Sequence, residues 1–133
     1  MSIRLANMLS AIKNNAMVQK TVVEVPYAKL CESVANVMKD GGFVSEVKVF
    51  KEKNTSHKTL KIELATQLNS QKPVLTDLRI MSKPGRRIYK QVDELKKVVG
   101  GYGIGVISTS RGIMSVEDAK RKRLGGELLC EIW

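Results

Sequence analysis

Residues 100–112 read Gly-Gly-Tyr-Gly-Ile-Gly-Val-Ile-Ser-Thr-Ser-Arg-Gly, and no other stretch constrains the fold as strongly. Residues 104–107 carry the branched apolar side chains of a buried strand, and the glycines at either end supply tight turns. Three consecutive hydroxyl residues, Ser108, Thr109 and Ser110, follow the strand and lead to Arg111 and Gly112. Inside a core strand at least one of these hydroxyls would point inward and need a partner. At a strand end beside glycine they can face outward as a compact set of donors and acceptors. That set suits phosphate oxygens, ribose hydroxyls and base edges, with Arg111 adding a planar charged donor. A plainer reading stands beside it: a hydroxyl-rich turn that satisfies its own backbone.

Charge bears on the choice. The chain has 133 residues, with 23 Lys and Arg against 13 Asp and Glu, a net charge of +10. Such an excess points to a polyanionic partner, nucleic acid or an acidic membrane surface, and says nothing about fold. The basic residues weigh towards the second half: residues 71–133 hold 13 against 7 acids, residues 1–70 hold 10 against 6. At 43% hydrophobic the chain can bury a core, and its length fits one domain or two small ones sharing a boundary. No run reaches membrane-spanning length, and residues 1–20 lack the pattern of a secretory signal, so a soluble intracellular chain is expected. Cys31 and Cys130 lie far apart among apolar neighbours and read as two buried thiols, with a pairing between them left open. His57 is the only histidine, without partners for a zinc site or a triad.

In chain order, Ser2 can cap a helix with Leu5, Met8, Leu9, Ile12 and Ala16 on one face. Residues 21–25 predict a β-branched strand that stops at Pro26. A second amphipathic helix starts near Tyr27, buries Leu30, Cys31, Val34, Val37 and Met38, and ends at Gly41-Gly42. Strands over 43–50 and 58–65 alternate around a loop at 51–57. The fold class expected is α+β, with an N-terminal α-β-α-β-β subdomain over 1–66 and a mainly β subdomain with short helices over 67–133. The polar, aperiodic residues 66–72 mark the boundary.

Beyond it, residues 73–81 predict a strand that runs into Ser82-Lys83-Pro84-Gly85-Arg86-Arg87-Ile88-Tyr89. Pro-Gly favours a tight turn, here presenting Lys83, Arg86 and Arg87 with Tyr89 close behind. An aromatic among cations can hold RNA by phosphate contact and stacking; Tyr89 reads equally as a core aromatic with a surface hydroxyl. Residues 91–99 predict a short helix started by Asp93. Ser115 caps another, which carries Lys120, Arg121, Lys122 and Arg123. After Gly125-Gly126 comes a final strand over 127–133. Glu127 is an acid in a basic region, suited either to pairing with an arginine or to accepting from a base amino group.

Enzymatic readings fail on spacing. Residues 100–105 lack the third glycine of a dinucleotide fold and the Lys-Ser/Thr of a P-loop, and a strand follows where a helix is required. No Gly-x-Ser-x-Gly elbow is present, and the acid pairs Asp93-Glu94 and Glu117-Asp118 read as helix starts. No enzyme activity, cofactor, metal or small-molecule substrate is expected.

Three ordered motifs carry a resemblance: residues 83–89, Lys-Pro-Gly-Arg-Arg-Ile-Tyr; residues 101–114, from Gly-Tyr-Gly-Ile-Gly through Ser-Thr-Ser-Arg-Gly to Ile-Met; and residues 125–133, Gly-Gly-Glu-Leu-Leu-Cys-Glu-Ile-Trp. In order and spacing they resemble the C-terminal signatures of the ribosomal protein S-eight family of the small subunit. The N-terminal half is similar more loosely, through residues 6–15 and Val-Pro-Tyr-Ala-Lys-Leu at 25–30. The resemblance implies a two-domain α+β protein that binds the central domain of small-subunit ribosomal RNA early in assembly. It implies that Ser108, Thr109 and Ser110 read sugar and base edges of an irregular RNA helix. On it, Lys83, Arg86, Arg87 and Tyr89 form the basic turn and its aromatic, and Gly125, Gly126 and Glu127 the loop beside them. Lys29, Arg111 and Gly112 complete the expected RNA-binding set. Partners are then small-subunit RNA and neighbouring small-subunit proteins, in a ribosome of the bacterial cytoplasm or an organelle matrix. The alternatives are another RNA- or DNA-binding regulatory module, or a repressor that binds messenger RNA; no helix-turn-helix pattern supports the DNA case. Two departures from the family stand out: Ile3-Arg4-Leu5 replaces the usual Asp-Pro-Ile opening, and Ala11 stands where a basic residue is common.

Overall fold

The structure, a computed structural model, describes residues 2–54 and 56–133. Ser2 caps α1 (Ile3–Met17) by accepting the Leu5 amide N–H at 3.2 Å. Leu5, Met8, Leu9 and Ile12, at helical spacing, are completely buried. Strand β1 (Val22–Pro26) follows, then α2 (Lys29–Asp40), β2 (Val44–Lys51) and β3 (Lys58–Leu64). Pro26, expected just past the strand, is its last residue, tolerated because β1 lies at the edge of the antiparallel sheet β1-β3-β2. Of the expected loop between β2 and β3, Thr55 lies outside the described residues.

The second sheet contains β4 (Leu78–Ile80), β5 (Tyr89–Lys90), β6 (Ile104–Thr109), β7 (Gly112–Ser115) and β8 (Gly126–Ile132), with α3 (Val116–Arg121) between the last two. Its order is β4-β8-β6-β7, and β5 also pairs with β8. Helix α1 packs against β1 and β4, and α2 against β2, β6 and β7, so the helices bridge the two sheets. One buried cluster therefore joins Met8, Ile12, Met38 and Ile62 to Leu78, Val106 and Ile132. Each such side chain contributes about 1.5–3 kcal/mol by leaving water. A second cluster, with Leu95, Ile107, Met114, Val116 and Leu128, includes residues of β6, β7, β8 and α3. Val106 and Ile107 point to different clusters, as successive strand residues must. A bulge in β8 lets both Leu129 and Cys130 join the first cluster, because Val106 pairs with Cys130 and Ile107 with Leu128.

Two expected elements are corrected. The strand over 73–81 shrinks to Leu78–Ile80. Ahead of it the Thr76 and Asp77 amides both donate to the Trp133 carbonyl, at 2.6 and 3.1 Å, which bends the chain out of ladder pairing. The helix over 91–99 is instead two short 3-10 turns, Val92–Glu94 and Val98–Gly101. Val92, Leu95 and Val98 recur every third residue, the period of 3-10 backbone, and the Glu94 carboxylate, not Asp93, accepts the Gln91 N–H at 3.2 Å. Among the described residues no helix is long and apolar enough to cross a membrane.

Cys31 and Cys130 are free, buried thiols of the first cluster. Burial pushes both up, Cys130 from 9.0 to about 12. A folded value above the unfolded one means the neutral thiol adds stability that is present below pH 9 and is lost as pH rises towards 12. Both thiols are expected to resist a chromogenic disulfide reagent at pH 8 until denaturant is added. Immediate reaction of Cys130 in the native protein would contradict this packing.

Candidate nucleic-acid interface

Pairing in the second sheet builds one side of the site. Tyr89 of β5 stands opposite Glu127 of β8, and Glu127 stands opposite Ser108 of β6. Directly paired residues point to the same face about 4.5–5.5 Å apart, so Tyr89, Glu127 and Ser108 form one row. Tyr89 is 65% exposed, which decides against a core role for its ring. Ser108 and Glu127 are half-buried.

Two tight turns flank the row. In the first, Lys83 and Arg86 exchange backbone hydrogen bonds of 3.0 and 2.9 Å. Pro84 presets its first corner, and Gly85, with φ 85°, takes the left-handed corner of a type II turn. Lys83, Arg86 and Arg87 are all exposed there. In the second, β6 and β7 are joined through Ser110 and Arg111, and Gly112 has φ 112°. The Thr109 hydroxyl donates to the Gly112 carbonyl at 2.8 Å and accepts the Arg111 N–H at 3.1 Å. Thr109 thus braces its own turn, while Ser110 and Arg111 stand exposed at the tip.

Gly125 and Gly126 act as spacers. A Cβ on Gly126 would lie 2.0 Å from the Ser108 carbonyl oxygen, and one on Gly125 would lie 2.6 Å from that of Lys90. Only glycine lets β8 begin this close to both neighbours. Lys29 is not brought to the site. Asp40, at the other end of α2, lines a groove with Arg111, and Lys29 sits about 16 Å back along the helix at 1.5 Å per residue. In the basic run, Arg121 pairs with Asp118 at 3.4 Å and Lys122 and Arg123 are exposed.

A family profile described as Ribosomal protein S8 matches residues 4–133. The chain belongs to this family. Relatives named small ribosomal subunit protein uS8 include one from Trichodesmium erythraeum, 41% identical over 97% of this chain and 96% of the relative. Another, from Halothermothrix orenii, is 40% identical over the same shares. One from Chaetosphaeridium globosum, named uS8c, is 39% identical, again over 97% and 96%. The family is structural and not enzymatic, so the chain has a structural, ribosomal role.

For this S8-family chain, one residue of the site escaped the sequence analysis. Ser82 is fully buried, and its hydroxyl donates to the Leu128 carbonyl at 2.7 Å and accepts the Ile88 N–H at 3.0 Å. It ties both ends of the basic turn to β8. The only signal in the sequence is a hydroxyl residue placed directly before Lys-Pro-Gly-Arg-Arg. Ser82→Ala is expected to leave the Ile88 N–H unpaired and cost about 1–3 kcal/mol, and Gly126→Ala at least as much by forcing backbone apart. Urea unfolding midpoints read both; an unchanged midpoint for either would refute its role.

Proposed function

We propose that the chain is a primary binder of the central domain of small-subunit ribosomal RNA, holding an irregular RNA helix during assembly and translation. The observation that carries this reading is the row Tyr89–Glu127–Ser108 between two exposed turns, one with Lys83 and Arg86 at its base and one tipped by Ser110. Side chains cannot read the deep, narrow major groove of regular double-stranded RNA, so this surface fits a widened or unpaired region. Exposed cations attract phosphate over distances set by salt. Ser108 and Ser110 then set the register through sugar and base edges, and Tyr89 offers its ring for stacking. Gly125, Gly126 and Thr109 act indirectly, by keeping the strands close and the turn closed. By stabilising one RNA fold, the protein prepares a platform for neighbouring small-subunit proteins, in the ribosomes of a bacterial cytoplasm or an organelle.

Ser110→Ala is expected to weaken binding to a central-domain fragment about three- to tenfold, the value of roughly one hydrogen bond, with thermal stability unchanged. Arg86→Gln is expected to reduce the log–log salt slope by about 1. Unchanged affinity for the first variant and unchanged slope for the second would refute the assignment.

A further inference from the structure

The basic turn also opens onto a cavity that the proposed interface leaves unused. A cleft of about 400 Å³ between α1 and β4 is lined by Ser10, Lys13, Asp77, Arg79, Lys83 and Trp133, among others. Its size falls in the range of small-ligand sites. Lys83 belongs both to the turn and to the cleft, so the two surfaces are continuous.

The lining is built for an anionic ligand with a flat face. Three cations meet one acid. Asp77 accepts the Leu78 N–H at 2.7 Å and faces the Lys13 ammonium at 3.4 Å. The Leu78 amide first, and Lys13 after it, hold this carboxyl below its ordinary range, so Asp77 stays ionised and fixes Lys13 at the rim. Arg79 lies with its guanidinium 5.9 Å from the Trp133 ring centroid, and its ion pair with Glu131 is long, at 4.0 Å. The indole orients the guanidinium by cation–π attraction, and most of its fork of N–H donors stays unused. The Arg79 side chain is 65% exposed and that of Glu131 22%, and at 4.0 Å the pair is so long that the guanidinium can turn to a phosphate at little cost.

We infer that this cleft is a second RNA subsite, taking an unpaired nucleotide beside the main interface, with its phosphate between Arg79 and Lys83 and its base against Trp133. The inference rests on the reading that the partner is RNA.

Trp133 is the only tryptophan and so reports directly on the cleft. Its emission is followed while the protein is titrated with a central-domain RNA fragment, with acrylamide quenching before and after saturation. Filter binding of wild type, Ser110→Ala and Arg79→Gln runs in parallel. Occupancy predicts an emission change that saturates with filter binding, and protection of Trp133 from acrylamide. Arg79→Gln, at an exposed position, is expected to weaken binding about three- to tenfold, cut the salt slope by about 1 and diminish the emission change. Ser110→Ala should shift the same emission change to higher RNA concentration without abolishing it. Tight RNA binding with unaltered Trp133 emission and accessibility would overturn the subsite and leave the main interface standing. Wild type that binds no RNA in either assay would overturn both.

Discussion

Close approach of backbone at the start of β8 governs this surface. Gly126 lies so near the Ser108 carbonyl that a Cβ there would stand 2.0 Å from it, and Gly125 is as confined against Lys90. Because β8 can slot between β5 and β6, Tyr89, Glu127 and Ser108 fall into one row and the two turns come to its flanks. Ser82 completes the arrangement from beneath, with its hydroxyl bonded to β8 and to the far end of the basic turn. A site assembled by strand pairing is already in place before any ligand arrives, which lowers the ordering cost of binding.

The frame behind that surface is a shared core. The two helices touch both sheets, and a single buried cluster runs from α1 and β3 to β4 and β8. The bulge at Leu129 is the local device that lets β8 send Leu129 and Cys130 to one side and Leu128 to the other. Both faces of the second sheet are thereby filled by apolar residues along much of its length, and polar chemistry gathers at its turns, its strand ends and the edge strand β4, which carries Arg79. The cations follow the same rule: Lys83, Arg86, Arg87 and Arg111 are all exposed, where burial does not oppose their charge.

Much of this was legible in the chain itself. The helical spacing of Leu5, Met8, Leu9 and Ile12 and the alternation around β3 leave few alternatives, because each places a whole apolar set on one face. Ser2 and Ser115 were readable as caps, and each accepts an amide N–H in its first turn, at 3.2 Å in both cases. What escaped depends on distant backbone. The late start of β4 is imposed by the Trp133 carbonyl, far away in sequence. Residues 91–99 carry apolar groups every third position, which a helix pattern and a 3-10 pattern share over so short a run. Within the Ser-Thr-Ser triplet the middle hydroxyl braces the turn, so the plain reading of a self-satisfied turn holds for Thr109, and the proposed RNA contacts fall to Ser108 and Ser110. Gly125 and Gly126 looked like part of a contacting loop; their tight surroundings make them spacers.

The most direct test is a titration of the purified protein against a small-subunit RNA central-domain fragment at two salt concentrations, with duplex DNA and an unrelated RNA as competitors. Binding that resists both competitors and weakens only moderately with salt is the result expected of a surface that combines charge with hydroxyl and aromatic contacts. Equal loss to every polyanion would mean that the net charge of +10 alone drives association, and would contradict the account.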